Sequence, residues 1–211
     1  MKLTKLELLN FKGLKSFAIN INGDVVIRGD NATGKTTVFD SVCWLLFGKD
    51  SLDRADFEIK TLEAGEPIHK VNHEVTGTFT LDEGGTVELK RVYREKYSSP
   101  RGGEVTLTGH TTDYFVDGVP KKEKEYKEMA SSLVDESIFK LITNPLYFNE
   151  TYSWQNRRKL LLEMCGDISD EDVIASHSDL KALTDILSGH SVDDHRKVVA
   201  SKKSTINKEL D

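Results

Sequence analysis

The most constraining feature of the sequence is the segment at residues 29–36, GDNATGKT, which matches the pattern GxxxxGK[ST]. The glycines of such a loop let the backbone curl, so that successive N–H groups point at phosphate oxygens. The helix that follows presents its N-terminus, with free donors and a positive dipole end, to the same anion. The pattern therefore predicts a phosphate-binding loop between a strand and a helix.

The flanking residues favour this interpretation over a chance match. Val25, Val26 and Ile27 form an all-apolar run, which predicts a short strand buried on both faces, after a hairpin-type turn at residues 22–24. Residues 36–47 carry apolar residues at helical spacing, and Gly48 follows as a helix stop. A strand before the loop and a helix after it are the setting that the motif requires.

The chemistry of the motif assigns a role to individual side chains. Lys35 is expected to reach the β- and γ-phosphates and is the predicted catalytic residue, while the hydroxyl of Thr36 ligates Mg²⁺ and Thr37 contacts the α-phosphate. The predicted cofactors are thus ATP and Mg²⁺. The predicted nucleotide-binding set in this loop is Gly29, Asp30, Asn31, Ala32, Thr33, Gly34, Lys35, Thr36 and Thr37.

The remainder of the chain predicts an α/β fold with a mixed sheet around the P-loop. Strands are expected at residues 2–9 and 17–21, and runs of alternating apolar residues over 71–116 predict an antiparallel meander. Residues 49–70 are polar and predict a long surface excursion. Helices are expected at 121–134, at 152–165 and, in pieces, at 170–187, with a short strand at 141–143.

The last helix begins at a Ser191 cap and carries Val192, Val199 and Ile206 at seven-residue steps, which predicts the start of a coiled coil. No breaker ends it, so we expect the sequence to be part of something longer. The predicted division is a head lobe at residues 1–166, with the helical segment and start of the coiled coil at 167–211.

Composition narrows the class of protein. The 211 residues include 29 basic and 35 acidic side chains, a net charge of −6, which argues against a nucleic-acid module that works by bulk electrostatics. No apolar run is long enough to span a membrane, and the first residues lack a signal-peptide core, so a cytoplasmic protein is expected. Cys43 and Cys165 lie far apart, which excludes a disulfide framework.

Three segments resemble SMC-like, ABC-type ATPases of the SbcC and RecF kind. They are LELLNFKGL at residues 6–14, FDSVCWLLFGKD at 39–50, after the phosphate-binding loop, and WQNRRKLLLEMCG at 154–166. The resemblance implies the N-terminal lobe of a split ATPase head in phage and bacterial ATP-binding proteins. A long coiled coil and a C-terminal lobe, with an LSGGQ-type signature and Walker B acids, would complete the head.

The resemblance also implies partners and further site residues. Two heads would form a homodimer around two ATP molecules and act on DNA in recombination, repair or DNA-end processing, with an SbcD-like nuclease as a possible partner. Lys12 would approach the nucleotide, with a surface lysine as the alternative. Asn144 lies near the expected position of the Q-loop glutamine, where it would orient Mg²⁺ or sense the γ-phosphate.

Two segments imitate the missing motifs. Residues 133–136, LVDE, have too few apolar residues for a Walker B strand, and residues 187–190, LSGH, lack the second glycine and the glutamine of a signature. This chain alone is therefore expected to be a half-site, with hydrolysis in the complete protein.

His69 and His73 have i, i+4 spacing but no third ligand nearby, which disfavours zinc. Arg157, Arg158 and Lys159 form either a DNA-phosphate contact or a surface patch.

Two other classes of function remain as alternatives. A nucleotide-gated clamp or adaptor would bind ATP without hydrolysing it, and reconstitution with the missing half distinguishes it from an ATPase. A P-loop kinase or GTPase would need an acceptor-site lid or an NKxD motif, but Asn144-Pro145 is not followed by Lys-x-Asp.

Overall fold

The computed structural model describes residues 1–63, 65–99, 104–166 and 168–210. They fall into two compact units, Met1–Tyr147 and Phe148–Asp211. The division predicted from the sequence, a head lobe at 1–166 and a segment leading into a coiled coil at 167–211, stays a prediction.

The first unit is built on a six-stranded sheet whose strand order is β2-β1-β5-β6-β7-β8, and each pairing is antiparallel. A separate two-stranded ribbon pairs β3 with β4. The strands are β1 (Lys2–Phe11), β2 (Leu14–Asn20), β3 (Leu62–Glu63), β4 (Glu66–Pro67), β5 (His73–Thr80), β6 (Thr86–Ser98), β7 (Thr106–Val116) and β8 (Val119–Lys121).

Seven α-helices, one π-helical turn and one 3₁₀ turn are assigned among the described residues. They are α1 (Lys35–Phe47), α2 (Glu123–Leu133), α3 (Glu136–Thr143), the π-helical turn Tyr147–Thr151, α4 (Trp154–Cys165), α5 (Asp170–Ser176), the 3₁₀ turn Ser178–Leu180, α6 (Ala182–Leu187) and α7 (Val192–Leu210). None of the helices in this part of the chain combines the length and apolar content that a membrane crossing requires.

The core lies between one face of the sheet and α1. Alternate residues of β5 are buried, as expected for a strand with one covered face, and Val75 and Phe79 point into this layer. From α1, Trp44, Leu45 and Leu46 pack against them. α2 closes the layer through Tyr126, whose hydroxyl donates a hydrogen bond to the carbonyl of Leu45 at 2.9 Å.

The structure confirms the α/β class, the meander and the helix that ends at Gly48. The last part of the predicted meander is one long strand, β7. The helix in pieces at 170–187 is also confirmed. The segments 133–136 and 187–190, which resemble a Walker B strand and a signature motif, are helix ends. Asp135 caps α3 through hydrogen bonds from Ser137 and Ile138, and Ser188 ends α6 in a left-handed turn.

The strand predicted at Val25, Val26 and Ile27 is wrong for the described residues. This segment is in no strand, and these side chains are 43%, 73% and 41% exposed. An apolar run forms a strand only when a neighbouring strand accepts its hydrogen bonds, and none among the described residues pairs with it. The expected turn at 22–24 therefore joins no hairpin, and the sheet has no parallel pair in the described part of the chain.

Two further predictions are corrected. Residues 141–143 are the end of α3 rather than a strand, because the Asp135 cap starts a helix and Phe139 packs on Phe39 and Phe47. The excursion at 49–70 is not all surface. Ile59 and Thr61 are buried against the turn between β1 and β2, where the carbonyl of Ile59 accepts the N–H of Lys12 and Oγ1 of Thr61 accepts the N–H of Gly13.

Candidate nucleotide-binding site

The phosphate-binding loop leads directly into α1. Gly34 is the N-cap with φ 93°, a left-handed conformation that glycine adopts without steric cost, and it offers no side chain to cap the helix. The first N–H groups of α1 are therefore left for an outside acceptor. This arrangement, together with the helix dipole, suits an anion.

A cavity of about 430 Å³ lies over this loop. Its lining comes from two segments: the turn between β1 and β2 contributes Lys12, Gly13 and Leu14, and the loop contributes Asn31, Ala32, Thr33, Gly34, Lys35, Thr36 and Thr37. Leu14 packs tightly on the loop, because a Cβ built on Gly34 would lie 3.0 Å from its Cδ2. The volume is within the range of small-molecule sites.

The ammonium of Lys35 lies at the mouth of the loop. Its Nζ donates to the carbonyl oxygens of Gly29 at 2.8 Å and Asp30 at 2.6 Å. The loop is further closed by Thr33, whose Oγ1 donates to the carbonyl of Asp30 at 2.8 Å. An ammonium has three donors, so Lys35 can meet a phosphate with the donor that these carbonyls leave.

Lys12 lines the cavity from the turn between β1 and β2. Its Nζ lies 2.5 Å from Oδ2 of Asp40 and 5.2 Å from the centre of the Phe57 ring. Its main-chain N–H donates to the carbonyl of Ile59 at 3.0 Å. The φ of Lys12 is 44°, an uncommon conformation for a residue with a side chain, and such backbone strain is concentrated at functional sites.

The structure brings most of the predicted site residues together at the cavity, whereas Gly29 and Asp30 contact it only through Lys35 and Asn144 lies outside. Thr36 and Thr37 line the cavity beside Lys35, as a metal- and phosphate-binding pair requires. Asn144 ends α3, its Oδ1 accepts the N–H of Leu146 at 3.0 Å, and it is not among the lining residues. Its role at the metal stays a prediction.

Sequence reasoning missed Asp40 as a site residue. It is the one acidic side chain within α1 and is buried at 3% exposure. The sequence did contain a signal for it: a charged residue lies among the apolar positions of a helix. A buried carboxylate requires a partner, so such a residue indicates a polar contact. Cys43, on the same helix, is chemically quiet, because burial and then Asp40 and Asp50 raise the pKa of its thiol to about 12.

The paired histidines serve the fold. The Nδ1 of His69 lies 2.7 Å from Oε1 of Glu95, while Nδ1 of His73 donates to the carbonyl of Asn10 at 2.5 Å. Among the described residues no group of three His, Cys, Asp or Glu side chains could hold a metal.

A second, apolar groove of about 360 Å³ adjoins the phosphate-binding loop. Val25 and Ile27 form one wall, and Val38, Phe39 and Val42 of α1 form part of another. Lys35 lines both this groove and the cavity over the phosphate-binding loop. The groove therefore joins an unpaired apolar segment to the loop itself.

Comparisons with known proteins agree with this geometry. A family model described as AAA domain matches residues 5–209. The DNA replication and repair protein RecF of Clostridioides difficile (strain 630) is 26% identical over 165 residues, which cover 74% of this chain and 44% of that protein. The SbcC component of the nuclease SbcCD of Lactococcus lactis subsp. lactis (strain IL1403) is 29% identical over 119 residues, which cover 56% of this chain and 11% of that protein.

One solved structure has the same fold over nearly the whole chain. The crystal structure of the Smc head domain with a coiled coil and joint derived from Pyrococcus yayanosii matches with a TM-score of 0.52 and 21% identity. The match covers 99% of this chain and 39% of that one. The chain thus spans less than half the length of each of these relatives.

Proposed function

Since the chain belongs to the AAA domain family, we propose that it binds ATP with Mg²⁺ as one lobe of an ATPase head of the SMC, RecF and SbcC kind. The complete protein would act on DNA in recombination, repair or DNA-end processing; the relatives are named as a DNA replication and repair protein and as a subunit of a nuclease.

The observation that carries the proposal is the shared cavity. Residues 34–37, where α1 begins, line it together with the loop, Lys35 is among them, and Lys12 lines it from the β1–β2 turn. This surrounds one volume with positive charge and main-chain donors, which is what a triphosphate needs. Thr36 would hold Mg²⁺, which lowers the charge on the phosphates.

Calorimetry with Mg-ATP tests the proposal. We expect the wild-type chain to bind and Lys35→Ala to lose binding. Lys15→Ala is the matched control, because Lys15 lies next to the turn but pairs with Glu63 at 3.0 Å outside the cavity. Heat no greater than dilution from a folded wild-type sample would overturn the proposal.

A second lobe is proposed to complete the site, since none of the described residues that line the cavity is acidic and hydrolysis needs an acid on Mg²⁺ and a group that orients water. The groove beside Val25 and Ile27 supports this, because an unpaired apolar segment is suited to receive a strand from another polypeptide segment. Two completed heads would then form a homodimer around ATP, with an SbcD-like nuclease as a further proposed partner.

The same acid-free lining favours one alternative, a nucleotide-gated clamp that binds ATP without turnover. Mixing the chain with the polypeptide that supplies the second lobe separates the two functions. Phosphate release that appears only in the mixture, and is lost with Lys35→Ala, supports the ATPase. ATP-dependent association without phosphate release supports the clamp.

A further inference from the structure

Asp40 is a rigid carboxylate on the phosphate-binding helix. It lies four residues after Thr36, one turn along α1, and its side chain is 4% exposed. One oxygen lies 2.5 Å from Nζ of Lys12, and the other accepts the main-chain N–H of Ser51 at 2.9 Å. Because both oxygens are engaged, the orientation of the carboxylate is fixed.

Lys12 is held from three directions. Asp40 bonds its ammonium, the Phe57 ring lies beneath it, and its main chain bonds to Ile59. A lysine side chain that is free to move loses rotamer entropy when a ligand fixes it. At this position the contacts within the protein restrict the side chain before any ligand binds. The ammonium has two more donors to offer to the cavity.

We infer that Asp40 is a positioning residue that holds the Lys12 ammonium in place for the phosphates of ATP. The inference rests on the proposed function. Asp40 is not among the lining residues of the cavity, so its effect on the nucleotide passes through Lys12. The competing physical account is that Asp40 only cancels the charge of Lys12, in which case its removal would strengthen ATP binding.

A double-mutant cycle on Mg-ATP affinity tests the inference in the 211-residue chain. We expect Lys12→Met and Asp40→Asn each to weaken binding about tenfold, which corresponds to about 1.4 kcal/mol. The double variant should be no more than about twofold weaker than Lys12→Met, because Asp40 has nothing to position once the ammonium is gone.

Asp50→Asn is the matched control. Asp50 is also buried, at 4% exposure, and follows α1 closely in the sequence. Its carboxylate accepts hydrogen bonds from the main-chain N–H groups of Leu52 and Arg54 and from the Arg54 side chain. The variant removes the same formal charge, so it controls for long-range electrostatics. We expect ATP affinity within about twofold of wild type, and Lys12→Met should keep its tenfold effect in this background.

The inference would be overturned if Asp40→Asn bound Mg-ATP as tightly as the wild type, or if the affinity losses of the two single variants added in the double variant. ATP binding by the wild type would still support the proposed function in that case. Absence of binding by the wild type would overturn both. Urea denaturation checks that each variant folds. Asp40→Glu is the second variant, since it keeps the charge and moves it by one methylene: positioning predicts weaker binding, and charge cancellation predicts unchanged binding.

Discussion

The guanidinium of Arg91 lies directly against Gly48, the residue that ends the phosphate-binding helix. A Cβ built on Gly48 would come within 2.7 Å of Nη1 of Arg91. Arg91 is buried at 2% exposure and lies 5.0–5.8 Å from the ring centres of Trp44, Tyr114 and Tyr126. A cation thus faces the negative end of the α1 dipole, opposite the end at which the cavity over the phosphate-binding loop lies.

Gly48→Ala is expected to destabilise the protein by about 2–4 kcal/mol. The new methyl group meets the Arg91 guanidinium, and the left-handed φ of 76° is unfavourable for alanine. Urea denaturation measures the loss. Gly84→Ala is the control, because Gly84 has φ 92° but no atom within 4 Å of a built Cβ. It should lose about 1–2 kcal/mol, and equal losses would contradict the role of Arg91.

Glu95→Gln is expected to destabilise the first unit by about 2–3 kcal/mol at pH 7. Glu95 is buried, and its carboxylate receives Lys60 Nζ at 2.6 Å, the N–H of Lys70 at 2.9 Å and the hydroxyl of Tyr97. An amide cannot accept from all of them. Glu63→Gln is the control, since its pair with Lys15 is 68% exposed and should change the stability little.

The same carboxylate gives a defined dependence on pH. Burial alone would raise the pKa of Glu95, but the hydrogen bonds that it accepts, Lys60 first, hold that pKa well below its usual range. Its stabilisation is therefore present above the pKa of about 4.3 in the unfolded chain and is lost as the pH falls further. Denaturation curves of wild type and Glu95→Gln should converge in acid. A gap that stays constant to pH 3 would refute this.

Ala32→Gly is expected to stabilise the protein by about 0.5–1 kcal/mol. Ala32 lies in the phosphate-binding loop with φ 62°, where a side chain is unfavourable. Thermal denaturation compares it with Ala18→Gly, on the exposed face of β2, where glycine should destabilise by about 0.5–1 kcal/mol. Shifts of the same sign in the two variants would count against strain at Ala32.

Tyr126→Phe is expected to cost about 1 kcal/mol at neutral pH through loss of the hydrogen bond to Leu45. Burial raises the pKa of Tyr126 to about 12. The unfolded tyrosine ionises near pH 10, so wild-type stability should fall as the pH rises from about 10 towards 12, and the phenylalanine variant should lack this component. Parallel denaturation profiles at pH 8–11 would disprove the assignment.

Local signals in the sequence were sufficient for the parts of the fold that use local contacts. The GxxxxGK[ST] pattern and Gly48 fix both ends of α1, and alternation with glycine turns predicts the meander. Residues 25–27 could not be predicted correctly, because whether an apolar run becomes a strand depends on a partner strand. Residues 141–143 carry strand-favouring side chains, but the Asp135 cap and the packing of Phe139 override that preference.

In the candidate site, too, the residues that belong to a local motif could be predicted, and the long-range contacts could not. The loop residues follow from the motif, and Lys12 follows from the family resemblance. The partners of Lys12 do not, because Asp40, Phe57 and Ile59 reach it across 28 to 47 positions of sequence. Contacts of that range are set by packing, for which one sequence holds no direct signal.

The β1–β2 turn is held against residues 59 and 60 by main-chain hydrogen bonds. The N–H of Lys12 bonds to the carbonyl of Ile59, and Phe11 forms a bridge with Lys60. Exchanging the exposed side chain of Glu58 would therefore leave the turn in place, whereas deleting a single residue at 58–60 would shift the register and carry Lys12 away from the cavity. Besides the buried Ile59 and the pairing of Lys60, this stretch has to preserve its spacing.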